Sequence, residues 1–345
     1  MMTWLRRFSP RVVLAVSTGL FLAPSLLASP ATLETIVKRG FLNCGVNQGL
    51  AGFSSPDAQG NWVGLDVDYC RAIAAAVLKD ATKVKYRPLS AKERFTALQS
   101  GEIDVLSRNT TWTISRDASL GLDFVGVTYY DGQGFMVRKK SKIATAKKLN
   151  GATVCVNAGT TTELNLADWF RTLGQKYKIL SFEKNDEVVA AYDAGRCDAY
   201  TTDQSGLFSE RNKLKNPDDH VILPEIISKE PLGPAVRQGD DAWADIARWV
   251  LNAWLEAEEL GLTQASIDQA KASPNPNIRR LVGVEGDFGK MLGLDPEWAM
   301  RIVKQVGNYG ESFERNLGAS TRLKIVRGQN RLWKDGGLQY PLPLR

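Results

Sequence analysis

Apolar positions recur along this chain in a phase that is used twice. In AKERFTALQSG, residues 91–101, Ala91, Phe95 and Leu98 fall at helical spacing, and Gly101 stands where a helix would stop. Ile103, Val105 and Leu106 then read as a short buried strand around Asp104. In NDEVVAAYDAGR, residues 185–196, Val188, Val189 and Tyr192 repeat the helical face, Gly195 ends it, and Ala199 and Tyr200 follow Asp198. A second pair precedes these: GVNQG (45–49) and CVNAG (155–159) each end an apolar strand on Val-Asn-x-Gly. The spacing to the repeated aspartate is 57 residues in one copy (Asn47 to Asp104) and 41 in the other (Asn157 to Asp198). The same order in the same phase predicts two related α/β lobes.

Helix-linked strands in such lobes are parallel, with right-handed crossovers. Open parallel sheets bind ligands beyond the carboxyl ends of their strands. Four stretches are therefore the candidates: Asn47–Ser54, Ser107–Arg116, Asn157–Thr162 and Thr201–Gln204. Near the C-terminus, DIARWVLNAWLEAEELG places Ile246, Trp249, Val250, Ala253 and Trp254 on one helical face, which reads as core. Residues 263–345 look helical up to Val306 and end in an extended tail, and bracing the first lobe is the role they suggest.

The N-terminus has a different pattern. Arg6, Arg7 and Arg11 precede an apolar run from Val12 to Ala28, followed by small residues. This reads as a secretory signal peptide, cleaved between Ala28 and Thr32, and the mature chain is expected to be exported. A membrane anchor fits less well, because the run is short and holds Pro24. Export changes the charge and the cysteines. The chain of 345 residues carries a net charge of +6, and losing three arginines leaves +3, too mild and too evenly spread for nucleic acid. Cys44, Cys70, Cys155 and Cys197 are even in number without CxxC spacing, which in an oxidising compartment suggests two disulfides. Three pairings are possible. The repeat favours Cys44–Cys70 and Cys155–Cys197, one per lobe, with two free buried thiols in each as the alternative. The single histidine, His220, makes a His-rich metal site or a Ser-His-Asp triad a poor reading.

The candidate loops carry recognition chemistry. VNAGTTTELNLADWF has a capping box, Thr160 with Glu163, at the start of a helix whose N–H groups suit an anion. No Gly-Lys-Ser/Thr follows, so a carboxylate is a better guest than a nucleotide phosphate. In SRNTTWTISRD, Arg116 can hold a carboxylate with two parallel bonds, while Arg108 and Arg116 as plain surface residues is the competing reading. In DAYTTDQSG, Asp203 suits an ammonium group or caps a helix. An arginine on one lobe and an aspartate on the other describe a receptor for a zwitterion. GLAGFSSPDAQGNW reads as a hairpin, with Leu50 and Phe53 as apolar walls or as core.

Over residues 32–262 the chain resembles extracytoplasmic solute-binding proteins of polar-amino-acid ABC importers. It is close to the general L-amino-acid-binding branch. The resemblance is carried by GFLNCGVNQGLAGFSSPD, LSAKERFTALQSGEIDVLSRNTTWTISRD, YYDGQGFMVRKKS and NDEVVAAYDAGRCDAYTTDQS. It implies a two-lobed periplasmic binding protein of type II: α/β, with parallel-rich sheets, helices on both faces and a two-segment hinge. The first lobe spans 32–130, the second 131–236, the return to the first 237–262, and the extension 263–345 packs on the first lobe. It further implies a monomer without catalytic activity, cofactor or metal. That monomer passes L-amino acids of broad specificity to an ABC permease in the inner membrane. Arg116 would clamp the α-carboxylate with help from Thr111 and the Thr161 backbone. Asp203, with Asn109, would take the α-ammonium, and Asn47, Leu50 and Phe53 would border the side chain. Members selective for basic amino acids often carry an acidic or aromatic residue where this chain has Asn47 and Leu50, so the resemblance favours a permissive pocket. Two alternatives share the scaffold: an enzyme of the cyclohexadienyl dehydratase type, which needs a general acid in the cleft, and a receptor used for sensing.

Overall fold

The computed structural model describes residues 31–345. The signal peptide expected over residues 1–31 lies, but for its last residue, outside the described residues. Two five-stranded sheets have the same plan. In the first, the order is Val84–Leu89, Leu42–Asn47, Val105–Leu106, Ala235–Arg237, Leu122–Phe124. In the second it is Lys178–Phe182, Thr153–Asn157, Ala199–Asp203, Gln133–Arg138, His220–Ile222. The first three strands of each order are parallel, and the fourth is antiparallel to the third. In both, the antiparallel strand is the first sheet strand after the chain crosses between lobes. The crossings, Tyr129–Asp131 and Glu230–Leu232, pair with each other as an antiparallel ribbon, with Glu230 opposite Asp131. The fold is two-lobed, as the repeat implied.

The repeated motif has a physical reason. Gly101 and Gly195 stop their helices at φ of +79° and +80°, a conformation that costs glycine least. Asp104 then accepts the Asn43 N–H at 2.7 Å, and Asp198 accepts the Thr153 N–H at 2.8 Å. Each aspartate therefore fastens the start of its strand to the neighbouring strand, which fixes register in both lobes alike. Strand periodicity sorts the second lobe's core onto two faces. Phe135 and Val137 pack with Phe170 on one side, and Met136 packs with Tyr192 and Tyr200 on the other. The disulfides join Cys44 to Cys70 and Cys155 to Cys197, each between a sheet strand and the adjoining helix or its strand-leading turn.

Two expectations shift in detail. On the Asp241–Glu259 helix, Trp243 and Trp254 are buried and Trp249 is only half-buried. The chain re-enters the first sheet at Ala235, two residues before the expected return at 237. At the return crossing, Gly233 permits close approach: a Cβ there would stand 2.0 Å from the Gly126 carbonyl oxygen.

Residues after 262 share the first lobe's core. Trp298, Ile302, Tyr309 and Phe313 belong to one apolar cluster with Val46, Ile73 and Trp254, so this segment is not a separable unit. It also grips the crossing strand. The Asn330 side chain accepts the Tyr130 N–H at 2.6 Å and donates to the Tyr130 carbonyl at 3.1 Å, and Tyr309 donates to the Thr128 carbonyl at 2.8 Å. Among the described residues, no helix is long and apolar enough to cross a membrane.

Candidate functional site

The parallel strands end on the residues that line one cavity between the lobes. Its atom-free space, open solvent at its mouth included, is about 490 Å³. From the first lobe come Asn47, Leu50, Arg94, Arg108, Asn109 and Thr111; from the second, Asn157, Thr160, Thr161, Thr162, Asn185 and Asp203. The lobes are closed over it. Lys213 donates to the Gly49 carbonyl at 2.7 Å, and Asn185 donates to Asn47 Oδ1 at 3.3 Å, each bond running from one lobe to the other.

One end of the cavity is rich in donors. Arg94, Arg108 and Arg116 are all buried. Each guanidinium carries five N–H groups, and each makes a single side-chain hydrogen bond among the described residues: to Thr110 Oγ1, to the Leu89 carbonyl and to the Thr111 carbonyl. Arg94 Nε has no partner there. Burial pushes the Arg108 guanidinium down to about 10, with Arg116 adding to the fall and Asp66 opposing it. Burial also holds Arg94 well below the usual arginine range, and its two neighbouring cations add to that. Three cations so close, with so few acceptors, make a place for an anion. The Thr161–Thr172 helix points its N-terminus at the same region, with Thr160 as its cap.

The same cavity holds a carboxylate without a hydrogen-bond partner among the described residues. Asp203 ends its strand, is 7 % exposed, and its Oδ1 has no hydrogen-bond partner among the described residues. It stands at the head of the Gln204–Arg211 helix but its side chain makes no capping bond. The capping bond is therefore not made, and Asp203 lines the cavity instead. Burial raises its pKa well above the carboxylate range; the neighbouring Asp131 and Glu230 raise it further, while Arg94 and Arg116 oppose. A cation placed against Asp203 would relieve all of this.

The expected site residues fall into three groups. Asn47, Leu50, Asn109, Thr111, Thr161 and Asp203 line the cavity together. Asn47 and Asn109 are bonded to each other at 3.0 Å, and Asn109 sits at φ +32° with its N–H on Asp66 at 2.8 Å. Arg116 lies against the cavity rather than among its lining residues, with its guanidinium 5.2 Å above the Phe95 ring. Phe53 lies in the core rather than in the expected wall, edge-on to Tyr129 at 5.2 Å, within the tight turn closed by the Leu50–Ser54 bridge. One expected role also changes. The Thr111 hydroxyl donates to Glu230 at 2.6 Å, so its single proton is engaged away from the cavity.

Arg108, whose direction the sequence left open, points inward. Arg94, Asn185, Tyr200 and Glu210 line the cavity and were not singled out from the sequence. For Arg94 a signal existed: it lies four residues before Leu98 on the buried face of an amphipathic helix, where a charge is costly unless it works.

This arrangement is that of a two-lobed cleft protein, with buried arginines and a buried carboxylate around one interlobe cavity. Residues 42–265 match the model of the bacterial extracellular solute-binding proteins, family 3, and the chain belongs to that family. It is similar to the general L-amino acid-binding periplasmic protein AapJ of Rhizobium johnstonii, with 61% identity over 96% of this chain and 98% of that one. It is also similar to the glutamate/glutamine/aspartate/asparagine-binding protein BztA of Rhodobacter capsulatus, with 56% identity over 92% and 94%. Among solved structures, the ABC transporter periplasmic binding protein from Brucella ovis with glutathione bound superposes with a TM-score of 0.90, at 61% identity over 92% of this chain and all of that one. These relatives are named as binding proteins.

Proposed function

We propose that the protein binds L-amino acids in the interlobe cavity and delivers them to an ABC permease. The observation that carries this reading is the buried Asp203 carboxylate, unpartnered, in one cavity with donor-rich arginines. The α-ammonium goes to Asp203. The α-carboxylate goes to the arginine end, held by Arg116 and by the first N–H groups of the Thr161–Thr172 helix, which are unsatisfied within any helix. Closure joins the two half-sites, and only the closed, loaded form is handed on. Asn47, Asn109 and Asn185 present amide donors and acceptors to the ligand side chain, which suits many polar side chains. The names of the two relatives, one for general L-amino acids and one for acidic amino acids and their amides, support the same class.

A thermal-shift panel on refolded protein, freed of co-purified ligand, tests this. Several L-amino acids should raise the midpoint by several degrees, acidic and amide members among them. No shift with any of the twenty would refute the reading.

A second expectation concerns protons. Asp203 holds its proton up to unusually high pH when unpaired, and an ammonium against it favours the ionised form. Binding therefore expels a proton at pH values below the free protein's raised pKa, and affinity rises with pH through that window. Calorimetry in buffers of different ionisation enthalpy should report net proton release on binding. Proton uptake would contradict the assignment.

A further inference from the structure

The crossing strand Glu230–Leu232 carries a carboxylate with no counterpart in the recognition scheme above. Glu230 is 1 % exposed. It accepts hydrogen bonds from Thr111 Oγ1 at 2.6 Å, Thr161 Oγ1 at 2.8 Å, Asn165 Nδ2 at 2.7 Å and Ser228 Oγ at 2.6 Å. Thr111 belongs to the first lobe and Thr161 and Asn165 to the second. The two threonine oxygens stand 3.3 Å apart across the seam.

We infer that Glu230 is a resident anion that ties the two lobes shut from behind the ligand and so sets how long the ligand is held. Its attachment to the first lobe does not depend on closure, because Thr111 bridges Leu232 and the Trp112 N–H donates to the Pro231 carbonyl at 2.8 Å. Its bonds to Thr161 and Asn165 run to the second lobe, at the first two turns of the Thr161–Thr172 helix. There the positive end of the helix dipole favours a negative charge. The helix N-terminus thus serves two anions: the ligand carboxylate on its cavity side and Glu230 on its hinge side.

A second consequence follows from proton counting. A hydroxyl has one proton to give. While Thr111 and Thr161 give theirs to Glu230, they offer only lone pairs to the cavity. The ligand carboxylate must then draw its bonds from backbone N–H groups and guanidinium groups, and Glu230 orients both threonines to enforce this. Opening the lobes separates Glu230 from Thr161 and Asn165. Ligand release therefore has to break a tie in which the ligand takes no part, and loss of the tie speeds dissociation without changing encounter. Glu230 is a positioning residue: it does not line the cavity, and neither does Asn165.

This inference rests on the proposed amino-acid site, and its test separates the two. Stopped-flow kinetics with L-glutamine on refolded protein should show Glu230→Ala releasing ligand about tenfold faster, with the association rate within about twofold of wild type. Asn165→Ala should release about threefold faster, and should add nothing to Glu230→Ala in the double variant. Glu230→Gln keeps one acceptor oxygen and should fall between. Should Glu230→Ala fail to fold, Asn165→Ala and Glu230→Gln carry the test, because both leave the packing nearly intact. Wild-type dissociation in Asn165→Ala and Glu230→Gln, or full additivity of the two changes, overturns the tie. Asp203→Asn run alongside reports on the site itself: wild-type binding there refutes the site, whereas lost binding there with unchanged release in the Glu230 and Asn165 variants refutes only the tie.

Discussion

Asp203→Asn is expected to weaken binding of L-amino acids by thirtyfold or more. The change keeps the shape of the side chain and removes its charge, so the α-ammonium is left buried against a neutral amide. Removing one partner of a buried charge pair costs about 2–5 kcal/mol, which is roughly thirtyfold to several thousandfold. The free protein should not suffer. Its Asp203 carboxylate makes no hydrogen bond among the described residues and burial disfavours its charge, so the variant loses no internal bond and should melt at or above the wild-type temperature. A second readout sharpens the result. Wild type should prefer L-glutamate strongly over glutarate, which lacks the ammonium, and the variant should lose most of that preference. Titration calorimetry with both ligands decides it. Unchanged affinity for L-glutamate in the variant would remove Asp203 from the site.

Arg116→Ala should also cost about thirtyfold, near the lower end of the same range. Arg94 and Arg108 remain as cations beside the cavity and keep part of the attraction for the carboxylate. The loss has two sources. The guanidinium fork no longer meets the carboxylate, and the Thr111 carbonyl loses its 2.9 Å donor, so the loop that carries Thr111 loosens. Arg116→Lys keeps the charge without the fork and should recover only part of the affinity. Wild-type affinity in Arg116→Ala would move the anion site to Arg94 and Arg108.

Much of the fold was legible because the repeat has a mechanical cause. Gly101 and Gly195 stop helices, Asp104 and Asp198 fasten strands, and both devices leave a residue signature. Strand-end loops were legible for the same reason, since parallel strands deliver their carboxyl ends to one edge. That brought Asn47, Thr111, Thr161 and Asp203 to one cavity. What escaped were residues that reach the site from helices or from the hinge. Arg94 and Glu210 sit on helical faces that otherwise read as core, and Asn185 opens a helix that the periodicity marked only for its apolar side. Glu230 lies 69 residues after Thr161 and touches it only because the ribbon Tyr129–Asp131 with Glu230–Leu232 folds back between the lobes. Phe53 failed for the opposite reason. Its position beside Leu50 is right for a wall, but the direction of a side chain in a tight hairpin is set by tertiary packing against Tyr129 and is invisible in spacing.

The most direct test of the account is a crystal structure of the refolded protein with one L-amino acid bound. The lobes should be closed, with the α-ammonium about 2.7–3.2 Å from an Asp203 oxygen. The α-carboxylate should face Arg116 and the head of the Thr161–Thr172 helix, with Glu230 still on Thr111 and Thr161. A ligand in the reverse orientation, or one seated outside this cavity, would contradict it.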